Sequence, residues 1–194
     1  MITRRCTQRQ FLLTPCPRTN QIIRYALAYA AKVTGVQLHA VCFMSNHWHG
    51  IVSDPGACLP KFLEHFHRLI AKAQNAWLHR RENFWSSERA SVVHLETDSD
   101  VLSKMAYVIA NPIAARLVER LEDWPGLVAY WSHERTEVPM PDVFFDHSGD
   151  RMRSANRVVT KRGVPSQVGV HGRASAEADT SVARGVGETG RALA

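Results

Sequence analysis

A two-residue break, Ser45-Asn46, separates two stretches of alternating polarity, and long helical stripes flank the pair on both sides. Before the break, Val36, Leu38, Ala40 and Cys42 alternate with Gln37, His39, Val41 and Phe43, which is strand period. After it, His47 to Ser53 form a second strand, so the unit reads as a hairpin. Upstream, Ile22, Ile23, Ala26, Leu27, Ala30 and Val33 fall at helical spacing from Thr19, and Gly35 closes the run. Downstream, Leu59, Phe62, Leu63, Phe66, Leu69, Ile70, Ala73 and Trp77 make a second stripe at the same period.

The remaining segments complete the order. Residues 2–13 read as extended chain ending near Pro15 and Pro17, and Ala90 to Thr97 as a further strand. Thr97-Asp98-Ser99-Asp100 resembles a capping box, opening a helix expected to run to about Asn111, where Pro112 stops it. Strand, helix, strand, strand, helix, strand and one more helix define the α+β, ferredoxin-like split βαβ arrangement. Its antiparallel sheet has helices packed on it, with an extra C-terminal helix.

Composition sets the limits. An apolar fraction of 45% fits a globular protein. No apolar run reaches the ~20 residues needed to cross a bilayer, and the first residues lack the apolar core of a signal peptide. The expectation is a cytoplasmic protein without membrane association. Cys6, Cys16, Cys42 and Cys58 form no C-x-x-C pair, which argues against a zinc ribbon and for reduced thiols. The net charge of +6 suits a polyanionic partner such as nucleic acid. Every Phe, Trp and Tyr lies before Asp146. Residues 1–146 are therefore expected to fold, and 147–194 to form a disordered basic tail.

Two elements carry chemistry. His47-Trp48-His49 opens a strand, where residues two apart share a face, so both imidazoles can meet one ion while Trp48 faces the opposite layer. His65-Phe66-His67 has the same spacing on a helix, where such residues diverge, and reads as incidental. Other paired-histidine chemistries fail on the residues after His49. Gly50-Ile51-Val52 lacks the Asp and His of a metallo-β-lactamase. Ile51 also stands where a histidine-triad hydrolase has a third His and a two-histidine phosphoesterase has Thr or Ser. The second element is Tyr107-Val108-Ile109-Ala110-Asn111: on a helix, positions i and i+4 share a face, and an amide oxygen is a hard ligand suited to Mg²⁺ or Mn²⁺. Read alone, the same pair is a core tyrosine followed by a helix-ending asparagine.

Together these elements resemble a family. Met44-Ser45-Asn46-His47-Trp48-His49-Gly50-Ile51-Val52, followed by Tyr107-x-x-x-Asn111-Pro112-Ile113-x-x-x-Leu117-Val118, is similar to the REP-associated tyrosine transposases. These are single-tyrosine transposases of the HUH endonuclease superfamily. The likeness spans roughly residues 1–132, including Asn83-Phe84-Trp85 and Asp123-Trp124-Pro125. It departs from the family at Ser45, where proline is frequent, and at Ala114-Ala115-Arg116, where Arg-Ala-Gly is usual.

The resemblance implies a ferredoxin-like fold in which His47, His49 and Asn111 hold a divalent metal, Mg²⁺ or Mn²⁺, and Tyr107 is the nucleophile. It further implies cleavage and rejoining of single-stranded or hairpin DNA through a 5′-phosphotyrosine, by a monomer that keeps its tyrosine helix, although some relatives exchange it in dimers. Arg4, Arg5, Arg9, Arg68 and Lys72 are candidate phosphate contacts, and Trp48 and Trp85 candidate base-stacking surfaces. The competing reading is a domesticated DNA-binding module of the same fold without catalysis. A zinc hydrolase is the third.

Overall fold

The computed structural model describes residues 1–130, 137–144 and 157–159. Strands β1 (Ile2–Arg5), β2 (Gln37–Phe43), β3 (His47–Ser53), β4 (Ser91–Val92) and β5 (Val128–Tyr130) form a five-stranded sheet in the order β4-β1-β3-β2-β5. Every pairing in it is antiparallel. The first four strands, with helices α1 (Pro17–Thr34) and α2 (Leu59–Trp77), give the expected ferredoxin-like arrangement.

The helices begin and end where local chemistry dictates. Pro17 occupies the first turn of α1, where its missing N–H costs nothing, so the helix starts two residues before the Thr19 expected. Gly35 caps its far end at φ 77°. The Asp54 carboxylate accepts from the N–H groups of Cys58 and Leu59 at 2.8 and 2.7 Å, satisfying the start of α2. Thr97 and Asp100 form the capping box of α3 (Asp98–Ile109). α3 does not run unbroken to Asn111. The chain turns at Ala110 and restarts as the short helix α4 (Asn111–Ala114), with Pro112 in its first turn. Proline has no N–H to bond the carbonyl four residues back, so it breaks the ladder yet fits the opening of a new turn.

The two sheet faces carry separate cores. α1 and α2 cover one face, burying Ile22, Ile23, Phe62, Phe66 and Ile70 with Leu38, Val41, Phe43 and Trp48. On the other, Val108 of α3 packs with Ala40, Cys42, Met44, Ile51 and Val128. A register shift in the β2–β3 ladder between Leu38 and Ala40 divides β2 between them. The expected alternation put Val36, Leu38, Ala40 and Cys42 on one face. The bulge flips it, so Leu38 joins the α1–α2 core while Ala40 and Cys42 face α3.

Three other expectations change. The first strand stops at Arg5; Gln8 and Arg9 take positive φ angles of 47° and 55°, which no strand accommodates. The strand expected over 90–97 reduces to Ser91–Val92, because β1 offers only Ile2 and Thr3 as partners there. β5, unforeseen, adds to the outer edge of β2. Within the stretch read as a disordered tail, Arg157–Val159 pair antiparallel with Glu137–Pro139 as a second, two-stranded sheet. The rest of that tail lies outside the described residues.

Candidate active site

The sheet register assembles the site. Opposite β3, β1 places Arg5 against His47 and Thr3 against His49; Cys42 faces His49 from the β2 side. Directly opposed residues of an antiparallel pair point to the same face, so Thr3 and Arg5 stand beside the imidazoles. α3 crosses this face and brings Tyr107 over His49, their ring centroids 5.6 Å apart at 77°. The two histidine rings meet edge to face, 4.9 Å between centroids.

Each imidazole is held through Nδ1. Asn46 Oδ1 lies 2.6 Å from Nδ1 of His47, and Thr3 Oγ1 lies 2.9 Å from Nδ1 of His49. With those oxygens accepting the Nδ1 protons, each ring presents an Nε2 lone pair, the arrangement that orients histidine toward a metal. Burial lowers the pKa of His49 to about 4, aided by His47 and Arg5. Burial and then Arg5 lower that of His47 as well. Both rings are therefore neutral at pH 7, the form that ligates metal.

The donor set fits a divalent ion of the transition series or Mn²⁺ type. Among the described residues no group of three or more His, Cys, Asp or Glu side chains converges. Among the described residues, a third protein ligand to the histidine pair would be of another kind, and Asn111 is the candidate the sequence offers. It is 9% exposed at the start of α4, sharing the buried side with Val108 and Pro112, whereas Tyr107 is 49% exposed. Between Tyr107 and Asn111 the helix is interrupted at Ala110, the last residue before α4.

The DNA-contact candidates divide. Arg5 is exposed beside the histidines. Arg4 is engaged within the protein: its guanidinium donates to the carbonyl oxygens of Glu88 and, at 2.9 Å, Ser86. Arg9 is exposed in the turn after β1, where its carbonyl accepts from Asn46 Nδ2. Arg68 and Lys72 are exposed on α2, over the opposite face of the sheet from His49, and are not brought to the site.

Trp48 faces the opposite layer, as strand alternation requires, but it is fully buried and offers no surface to a base. Its ring stacks on Phe43, and its indole N–H donates to His67 Nε2 at 3.2 Å. Trp85, half-buried, donates to the His67 carbonyl. His67, read as incidental, is thus a structural acceptor that holds two indoles.

A cleft of about 530 Å³ opens in front of His49 and Tyr107, lined also by Thr3, Arg5, Arg89 and Lys104. Sequence reasoning passed over Thr3, Asn46, Arg89 and Lys104. Lys104 was accessible to it, since it stands one helical turn before Tyr107; Thr3 and Arg89 were not, since only strand register brings them in.

No family model matches the chain, and no curated protein matches it. Among solved structures, it is similar to a REP-associated tyrosine transposase bound to a REP hairpin. That match is 17% identical, covers 64% of this chain and 72% of that one, and has a TM-score of 0.48. It is also similar to a protein from Deinococcus radiodurans R1 provisionally assigned as a transposase. There the identity is 15%, the coverage 54% of this chain and 84% of that one, and the TM-score 0.40. Among the described residues, no helix is long and apolar enough to cross a membrane.

Proposed function

We propose that this chain is a metal-dependent endonuclease and strand transferase that acts on single-stranded or hairpin DNA through a 5′-phosphotyrosine at Tyr107. The observation that carries the reading is the convergence of His47, His49 and Tyr107 on one sheet face of one chain, with Tyr107 exposed at a cleft. A core tyrosine, the bland alternative, would not be half exposed beside two neutral imidazoles.

The chemistry rests on the groups present. Tyr107 Oη attacks the phosphorus of a phosphodiester; an Oη–P bond forms, the P–O3′ bond breaks, and O3′ leaves as a hydroxyl. The phenolic proton is released to solvent, a step that needs help because the phenol pKa is ~10. When bound by His47, His49 and Asn111, a divalent ion supplies Lewis-acid stabilisation of charge on the phosphoryl oxygens. Thr3 and Asn46 keep both imidazoles oriented for it. Because the phosphotyrosine retains the ester bond, a 3′-hydroxyl can attack it in reverse and rejoin the strand. All the named groups come from one chain, so a monomer suffices.

The test is incubation of the protein with end-labelled single-stranded hairpin DNAs in Mn²⁺, Mg²⁺ or EDTA, beside the Tyr107→Phe variant, on a denaturing gel. A metal-dependent adduct carrying only the label 3′ of the break, and absent from the variant, is expected. Binding without an adduct would instead mark a non-catalytic DNA-binding module. Stoichiometric zinc without an adduct would mark a zinc hydrolase.

A further inference from the structure

The cleft before Tyr107 carries more positive charge than the proposed chemistry has used. Four cationic side chains, Arg4, Arg5, Arg89 and Lys104, line it against one carboxylate, Glu88. Arg4 is compensated: burial lowers its pKa, the Glu88 charge works against that, and the Glu88 and Ser86 carbonyls take its donors. Lys104 and Arg89 are not: among the described residues the ion pairs are Arg80–Glu82 and Arg120–Glu122. Lys104 precedes Tyr107 by three residues on α3, so both side chains leave the same side of the helix. Its ammonium stands 6.0 Å from the phenol ring centroid. That is the outer limit of a cation–π contact, too weak to fix the side chain.

We propose that Lys104 binds the phosphate attacked by Tyr107, and that Arg89 binds a neighbouring phosphate of the same strand at the β4 edge. The volume of about 530 Å³ is that of a pocket seating a group of nucleotide size. The cleft is lined by His49 and Tyr107, so a phosphate within reach of both would sit in it, and Lys104 is the uncompensated cation on the helix that carries the nucleophile. The ammonium neutralises the diester on approach and offsets charge growing on the phosphoryl oxygens during attack. Strand entry is thereby assigned to the β1–β4 edge and not to the basic outer surface of α2. The assignment of Arg89 and Lys104 as phosphate contacts stands apart from catalysis; the role of Lys104 in the attack rests on the proposed function.

Two readouts separate these. Binding is measured by fluorescence anisotropy with labelled hairpin DNA, the full chain carrying Tyr107→Phe in every sample so that no adduct forms. Lys104→Met and Arg89→Met should each weaken binding about 3- to 10-fold and flatten the log K against log salt slope by about 0.7. Lys61→Met, an exposed lysine on α2, should change neither. With Tyr107 restored and DNA saturating, Lys104→Met should slow single-turnover cleavage at least about 10-fold. Lys104→Arg should recover most of the rate. Unchanged binding and slope in Lys104→Met and Arg89→Met, or equal losses in Lys61→Met, would overturn the phosphate assignment. If the parent forms no adduct while both variants lose binding, the phosphate site stands and the catalytic reading falls.

Discussion

His49 and Tyr107 stand edge to face, 5.6 Å between ring centroids, with the histidine buried and the tyrosine half exposed. The pair joins the innermost strand of one hairpin to a helix laid over the far side of the sheet. Burial keeps His49 neutral, and exposure leaves Tyr107 open to the cleft.

The exposure of Tyr107 separates its chemistry from stability. Tyr107→Phe should leave unfolding in urea within about 0.5 kcal/mol of the parent. Val108→Ala, one residue on and fully buried between α3 and the sheet, should cost about 1–3 kcal/mol. The two midpoints, measured side by side, check that α3 is seated as described.

If His47 and His49 hold a metal as proposed, the oxygens that orient their rings should matter to its affinity. Thr3→Val removes the hydroxyl 2.9 Å from His49 Nδ1 while keeping a β-branched residue in β1. Asn46→Ala does the same for His47. Each should weaken Mn²⁺ binding about 10- to 100-fold by calorimetric titration. Affinity equal to the parent in both would mean that the oxygen partners do not set the rings.

Gly50 lies on the same strand face as Trp48, and a Cβ there would fall 2.6 Å from the indole Cζ3. Gly50→Ala must displace the packed ring of the residue between the two histidines, at a cost of about 1–3 kcal/mol. Chemical denaturation should register that loss, and metal titration should register a weaker site.

Acidification should destabilise the fold through His67. Burial, then the nearby Arg4 charge, lower its pKa from 6.5 to about 3. Between those values the unfolded chain binds a proton that the folded one does not, so stability rises with pH across the window and falls as pH drops. His67→Gln, which retains an acceptor for the Trp48 indole, should flatten the dependence between pH 6.5 and 4. Denaturation midpoints at several pH values give the comparison.

Much of the site was legible because it is local. Two-residue alternation puts His47 and His49 on one face whatever surrounds them, Ser45-Asn46 marks the turn, and Thr97 with Asp100 announces α3. The residues that complete the site were not legible, because each enters through a partner far along the chain. Thr3 reaches His49 only by the β1–β3 register, and Arg89 reaches the cleft only because β4 pairs with β1. Trp48 shows the same limit in reverse: alternation gave its face, but only the α1–α2 layer decided that the face is sealed.

By itself, then, the sequence determined the order of elements from β1 to α3, the shared face of the two histidines and the start of the tyrosine helix. Period, turn and capping are set within a few residues. Tertiary structure decided that α3 lies over the histidine face, that a bulge between Leu38 and Ala40 supplies that face with Ala40 and Cys42, and that the chain turns at Ala110 and restarts as α4. Those outcomes depend on which apolar surfaces can be buried together, and burial is a property of the assembled layers, not of any one segment.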